Sequence, residues 1–226
     1  MAGIKKAAPA SILLVAAITA SCFPSRPAIS PPPTNVETIE GFASLRLATA
    51  TGTARSKFSF LFRLPDRGRI EVYDPLRRTV SLLFFAEAEA FFVLPGKRAY
   101  WRSTREEVLD KLLGFDLRPE ELTAILAGRW DSIGGWNLEK DSRGRVARGR
   151  RADLEVEVRD FFSPSGLPAL LAFSRGRDRG SLKILRLAFN QPLKRDVWRP
   201  FFLDDPEFRE AAWTEVEKWL REMAAR

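Results

Sequence analysis

The chain has 226 residues, a formal net charge of +8 at pH 7, one cysteine and no histidine. The lack of histidine removes the side chain that most often acts as a general base or a metal ligand. A single cysteine excludes a disulfide framework within the chain, so the core has to be held by packing.

The N-terminus has the pattern of an export signal. A short apolar segment follows two lysines and ends at Ala20 and Ser21, directly before Cys22. The segment is too short to span a bilayer, which takes about 20 apolar residues, and its basic start and small-residue exit are typical of a secretory signal. With Cys22 it resembles a bacterial lipobox. We predict a lipoprotein signal peptide over residues 1–21 and acylation of Cys22, with palmitate among the attached acyl groups. The alternative is a plain signal peptide with an incidental thiol.

Residues 22–37 are rich in proline, serine and threonine. This composition favours an extended, hydrated chain, so we interpret it as a semi-rigid tether that holds a domain off a membrane. Phe23 stands where an aspartate would signal inner-membrane retention, which favours the outer membrane with the domain facing the periplasm. An exported chain seldom meets nucleic acid, so the basic charge indicates either contact with anionic lipid head groups or a solvated surface.

Residues 39–101 follow the two-residue period of β-strands. Within residues 58–63, phenylalanine occupies every second position, at Phe58, Phe60 and Phe62, as in a strand with one buried face. Turn residues interrupt the pattern at Pro65–Gly68, at Asp74–Arg78 and at Pro95–Gly96. The sequence predicts an antiparallel meander here.

A helical insertion is predicted over about residues 104–128. Ser103 or Thr104 can cap its first helix, and Pro119 begins a second helix that ends near Gly128. Strands resume between residues 136 and 189, and we expect turns at their segments rich in glycine and arginine, which are residues 143–145, 149–151 and 175–177.

An amphipathic helix is predicted over residues 204–226. Asp205 is placed to cap it, Pro206 takes its first position, and apolar residues recur on one face from Phe208 to Met223. We expect this face to dock on the domain; the alternatives are a helix that lies on a membrane or binds a partner protein.

No motif marks an active site. The sequence has no glycine-rich phosphate loop before a helix and no cluster of cysteine and histidine for a metal. Acidic pairs occur at Glu106-Glu107, Glu120-Glu121 and Asp204-Asp205, where capping of a helix start explains them. We therefore predict that the protein is not an enzyme and has no cofactor and no metal site.

The order of these features resembles the LolB family of outer-membrane lipoprotein receptors, within the LolA/LolB superfamily. Two departures are Arg77, where the family has glycine, and the C-terminal helix, which the family lacks. The resemblance covers roughly residues 39–193, and the motifs that carry it are Gly41 at the first strand, Tyr73–Leu76 like the family's Asn-Pro-Leu-Gly turn, Leu109–Gly114 and Leu122–Gly128 like its two helices, and Gly166–Pro168 and Lys183–Phe189 like its last hairpin.

The resemblance implies an α+β fold over residues 38–203. Its strongly curved antiparallel sheet, an open half-barrel, has helices over the concave face. It also implies a cavity for acyl chains of lipoproteins or phospholipid, a LolA-like periplasmic carrier as partner, and a chaperone-like role in protein transport to the outer membrane. Leu76 matches the family's protruding apolar residue, and Arg77 and Arg78 beside it would meet lipid phosphates. The alternative is that Leu76 folds back onto the sheet.

Candidates for the cavity lining come from the apolar strand residues. Ordinary core packing is the alternative for each of them. The alternative function is a non-catalytic scaffolding lipoprotein that binds a protein partner through its C-terminal helix. In either case we expect a monomer. The candidates are Phe58, Phe60, Phe62, Leu82, Phe84 and Phe92.

Overall fold

The computed structural model describes residues 29, 31–49, 52–113, 118–193 and 197–224. The predicted signal peptide, Cys22 and most of the tether lie outside these residues, so the signal, the lipidation and the tether stay predictions. Among the described helices, none has the length and the apolar character needed to cross a membrane.

The described strands form one curved, unclosed sheet. Neighbouring strands run antiparallel, with the exception of β12, which pairs in parallel with β6 at one edge. The spatial order is β12-β6-β5-β4-β3-β2-β1-β11-β10-β9-β8-β7. The predicted open half-barrel is confirmed. The strands are β1 (Thr38–Thr49), β2 (Gly52–Arg63), β3 (Arg67–Tyr73), β4 (Thr79–Ala86), β5 (Glu89–Leu94), β6 (Ala99–Thr104), β7 (Asn137–Lys140), β8 (Val146–Arg151), β9 (Leu154–Phe161), β10 (Pro168–Arg175), β11 (Asp178–Phe189) and β12 (Arg209–Glu210).

Two helices, α1 (Arg105–Leu113) and α2 (Pro119–Leu126), lie between β6 and β7 in the chain. The Oγ1 of Thr104 accepts a hydrogen bond from the backbone N–H of Glu107 at 3.2 Å, which satisfies an orphan donor of the first turn of α1. Gly128, with φ +69°, follows α2 in the left-handed conformation that favours glycine. Both helices fall within the predicted insertion and send buried residues into the core on the concave side of the sheet.

One segment that was expected to be a turn lies inside a strand. Gly149 is in the middle of β8, paired with Val156 of β9. A Cβ on Gly149 would lie 2.4 Å from the ring of Trp130, so a larger side chain does not fit at this position. The prediction of a turn at residues 149–151 is therefore wrong, because the glycine permits close packing of a tryptophan rather than a change of chain direction.

The predicted C-terminal helix starts later than expected. Its structural counterpart, α3 (Trp213–Ala224), begins eight residues after Asp205. The Oδ1 of Asp205 accepts a hydrogen bond from the N–H of Glu207 at 2.9 Å within a turn. The next residues form β12, which pairs with Ala99 and Tyr100. The prediction of helix from residue 204 is wrong for residues 204–212, because the open edge of β6 offers backbone hydrogen bonds that a local sequence pattern does not reveal.

Apolar residues are buried on both faces of β4, β5 and β6. The large core on the concave side contains Leu83, Phe85 and Phe92. A second cluster, which we call the convex cluster, consists of Leu82, Phe84, Phe91, Val93 and Phe202. Phe202 belongs to a 3-10 turn (Phe201–Leu203) and is 1% exposed. The segment before β12 thus covers the convex side of this part of the sheet.

Candidate functional site

A cavity of about 280 Å³ lies between the concave face of the sheet and helices α1 and α2. Ser56 and Ser81 are the two polar residues of its lining, and the described part of the chain contributes no charged residue to it. Such a site suits a hydrocarbon ligand. The apolar lining residues are Leu45, Leu47, Phe58, Phe62, Ile70, Val72, Leu82, Leu83, Phe85, Phe92, Leu109, Leu112, Pro119, Leu122, Ile125, Leu154, Val156, Leu171, Phe173 and Leu182.

Strand alternation explains the sheet side of this lining. Leu45 of β1 lies opposite Ser56 of β2 on one side and Leu182 of β11 on the other. Side chains of directly paired residues point to the same face, so this row faces the cavity while the next row along the strands faces outward. The same strands therefore present an apolar surface inward and a polar surface outward.

Helix α2 is held over the cavity by a buried carboxylate. Glu121 is fully buried and accepts hydrogen bonds from the backbone N–H of Arg118 at 3.0 Å and from the Nε1–H of Trp136 at 3.2 Å. It also forms an ion pair with Arg151 of β8. A buried carboxylate is tolerated when such partners replace water. These contacts attach α2, which supplies Leu122 to the cavity lining, to the β7–β8 region of the sheet.

Four of the six predicted lining residues border the cavity, namely Phe58, Phe62, Leu82 and Phe92. Leu82 also belongs to the convex cluster. Each of these residues is buried.

The other two predicted lining residues lie elsewhere. The ring of Phe60 packs between those of Phe58 and Phe62, at centroid distances of 6.1 and 5.6 Å, and lies where a Cβ on Gly41 would be. Phe84 is on the convex face, 5.5 Å from the ring of Phe202. Strand β4 is buried on both faces, so its continuous apolar sequence does not show which residues face the cavity.

Sequence reasoning missed the contribution of β1 and of β9 to β11. Leu45 and Leu47 in β1, and Leu154 and Val156 in β9, line the cavity. Their two-residue spacing was a usable signal, but spacing alone does not tell which strands lie around a void and which meet a filled core.

The turn between β3 and β4 exposes an apolar side chain. Leu76 is 74% exposed, so it does not fold back onto the sheet. Asp74 accepts hydrogen bonds from the backbone N–H and the Nε–H of Arg78 at 2.9 and 2.7 Å, and these bonds hold the pKa of the Asp74 carboxyl below its usual value. Arg77 has φ +63° and is exposed. The turn is thus closed by Asp74 and Arg78, with Leu76 and Arg77 pointing to solvent.

Strand pairing places this turn near the hairpins beside the cavity. Tyr73 at the end of β3 pairs with Lys57 of β2, and β2 continues from there to the β1–β2 hairpin, close to Leu47. Phe173 lies near the β10–β11 hairpin at the same end of the sheet.

Among the described residues, no group of three or more acidic, cysteine or histidine side chains is arranged to hold a metal ion.

No protein-family model and no curated protein matches this chain. Solved structures do match its fold. An outer membrane lipoprotein-sorting protein domain from Vibrio parahaemolyticus superposes with a TM-score of 0.53 at 9% identity, covering 76% of this chain and 93% of that one. A LolA superfamily protein from Nitrosomonas europaea gives a TM-score of 0.50 at 9% identity, covering 74% and 91%. The chain has a LolA-like fold.

A DUF1329 family protein from Desulfovibrio piger is similar to the same extent, with a TM-score of 0.52 at 10% identity and coverage of 74% of this chain and 92% of that one. At such identities the similarity establishes the fold alone. The fold that the resemblance to the LolA/LolB superfamily implies is therefore confirmed.

Proposed function

We propose that this protein is a non-catalytic outer-membrane lipoprotein that binds acyl chains of lipoproteins or phospholipid in its apolar cavity and helps to localise them to the outer membrane. The observation that carries the proposal is the uncharged cavity between the sheet and the two helices. Each methylene moved from water into such a site contributes about 0.8 kcal/mol, so a hydrocarbon chain gains affinity with little need for polar contacts.

The comparisons support a ligand of this class. One matching structure is named for lipoprotein sorting, and another for the LolA superfamily. In this proposal Cys22 carries the lipid anchor, the domain faces the periplasm, and a LolA-like carrier delivers the cargo to a monomeric receptor.

The exposed turn supplies a membrane contact in the same proposal. Leu76 would enter the acyl region of the bilayer, while Arg77 and Arg78 would meet phosphates. The 74% exposure of Leu76 supports this role, because its side chain is available for contact with a bilayer.

Binding of a fluorescent fatty acid to the full, unacylated chain tests the proposal. The informative variant is Ser56→Trp, which places a large ring inside the cavity, and the matched control is Thr53→Trp on the exposed side of the same strand. Excluding two methylenes from the site weakens binding roughly tenfold, so we expect at least that loss for Ser56→Trp and no loss for Thr53→Trp.

The outcome that would overturn the proposal is an absence of saturable binding to the parent chain, or equal binding by the two tryptophan variants. Circular dichroism shows whether each variant is folded, and a Leu182→Trp variant, also in the cavity lining, replaces Ser56→Trp if that one does not fold.

A further inference from the structure

The convex side of the strands that line the cavity carries a cluster of cations. Pairing of β1 with β2 and β11 arranges nine outward positions in three rows. Arg46 lies between Arg55 and Ser181, Ser44 between Lys57 and Lys183, and Ala48 between Thr53 and Arg179. We call Arg46, Arg55, Lys57, Arg179 and Lys183 the cationic face. All five are exposed, and none of the nine positions is acidic.

These five cations lack counter-charges. Within the described residues, no carboxylate forms an ion pair with any of them. With strands about 4.8 Å apart and alternate residues about 6.7 Å apart along a strand, the face measures roughly 10 by 13 Å. Arg46 and Arg55 are directly opposite each other, an arrangement of like charges that destabilises a sheet. An anion bound between them would remove this repulsion.

The neighbouring part of the same side is different. On β8 and β9 the arginines Arg148, Arg150 and Arg159 are matched by glutamates, with ion-pair distances from 2.7 to 3.7 Å. The excess of positive charge is therefore local to β1, β2 and β11 and is not a general property of the convex side.

A hollow of about 490 Å³ lies beside the cationic face. Arg46 and Arg179 stand at one side of it, and its floor is made of small residues, including Ala172 and Ser174. Glu155, Glu157 and Arg159 line the other side of the hollow, where Glu157 forms an ion pair with Arg159 and Glu155 forms one with Arg150. The hollow leaves space next to two guanidinium groups that suits a phosphate.

We propose that the cationic face binds the phosphate head groups of anionic phospholipids at a bilayer surface. A bilayer is favoured because Leu76 is exposed on the turn that follows Tyr73, and Tyr73 pairs with Lys57 of the face. Exposed apolar and cationic side chains side by side fit a lipid surface, in which one enters the acyl region and the others meet phosphates.

This surface is separate from the acyl-chain cavity, since the two lie on opposite sides of the same strands. The proposal therefore does not depend on what the cavity binds. Each cation close to an anionic surface strengthens binding by roughly fivefold, and charges beyond about 8 Å are screened at physiological salt.

Sedimentation with lipid vesicles tests the proposal. The full, unacylated chain is used throughout, so that any effect of its N-terminal apolar segment is common to all samples. The variant R46Q/R55Q/R179Q removes three charges of the cationic face. The control R98Q/R102Q/R199Q removes the same number of exposed arginines, which form ion pairs with acidic residues and lie outside the hollow.

With vesicles that contain phosphatidylglycerol, we expect the first variant to bind roughly a hundredfold more weakly than the parent and the control to lose less than tenfold. Equal losses by the two variants would overturn the proposal, and so would binding of the parent to purely zwitterionic vesicles that is as strong as its binding to anionic ones. Binding to polyglutamate is measured in parallel. The proposal would also fail if the first variant lost its binding to polyglutamate while its vesicle binding stayed unchanged. The last result would indicate an acidic protein partner. Fatty-acid binding, measured on the same samples, should stay unchanged, so this test fails or succeeds independently of the proposed cavity function.

Discussion

Strands β4 to β6 and strands β1, β2 and β11 belong to one sheet but are built differently. In the first group both faces are buried, one under the concave core and the other under Phe202 and its neighbours. In the second group the outward face is exposed and carries the cationic face, while the inward face borders the cavity. Residues of both groups line the cavity on the inward side, including Phe85 of β4 and Phe92 of β5, so the two groups differ on the outward side: one is covered by side chains and the other is open to solvent.

This difference separates strands whose outward face is packed from strands whose outward face is exposed. Close packing of the outward face stabilises β4 to β6 and leaves them little freedom to change shape. Strands β1, β2 and β11, which are exposed on the outward face, have fewer packing partners there, so they can adjust more easily when the cavity takes up or releases a ligand. Perturbing each region in turn tests whether stability and binding divide in this way.

The largest effect is expected from Phe202→Ala. Its ring is 1% exposed and lies 5.2 to 5.6 Å from the rings of Tyr100, Phe84 and Phe91. Truncating a buried phenylalanine costs about 3–5 kcal/mol, so the free energy of unfolding measured in urea should fall by this amount. Fatty-acid binding of the folded variant should not change, because the cavity lies on the other side of the sheet.

Two matched variants sharpen this result. Phe201→Ala removes a ring that is 44% exposed and should cost about 1 kcal/mol. Leu45→Ala shortens a partly exposed residue that borders the cavity. Its cost in unfolding free energy should therefore be smaller than the usual value for a buried leucine, which is about 2–5 kcal/mol. The affinity for fatty acid should fall. If Leu45→Ala destabilised the protein as much as Phe202→Ala, the division into two regions would fail.

A smaller loss of stability is expected from Glu121→Gln. The substitution removes the charge that pairs with Arg151 and weakens the hydrogen bonds that hold α2 over the cavity. Arg151 and Arg118 are partly exposed and can be hydrated, so the cost should be about 1.5–3 kcal/mol. Hydrogen exchange should speed up in α2 more than in β4 and β5. Uniform acceleration across the chain would contradict a local role for Glu121.

Most of the sheet could be predicted from the sequence, because alternation and turn residues are local signals. The turn at Asp74–Arg78 and the starts of the two central helices follow from residues such as Pro75, Thr104 and Pro119. The burial of both faces of β4 could not be predicted, since it depends on Phe202, far along the chain, covering the convex side. For the same reason the sequence did not distinguish Phe84 from Phe92 as a cavity residue.

The cationic face was also beyond prediction. Arg46, Arg55 and Arg179 are distant in sequence, and their grouping depends on the register between three strands. Register is a tertiary property, and a shift by one residue would turn these side chains to the other face. Composition shows that there are excess cations but not where they gather.

The smallest predicted effect concerns Asp74, which lies in the turn between β3 and β4. Hydrogen bonds from the backbone and side chain of Arg78 lower the pKa of Asp74 from its ordinary value of 3.8 in the folded protein. A lowered folded-state pKa means that the carboxylate stabilises the fold above about pH 4, and that this contribution is lost as the pH falls through the folded-state value. The difference in Tm between the parent and Asp74→Asn should therefore be small, largest near neutral pH, and smaller at pH 3. A difference that grew on acidification would show that Arg78 does not stabilise the ionised carboxylate of Asp74.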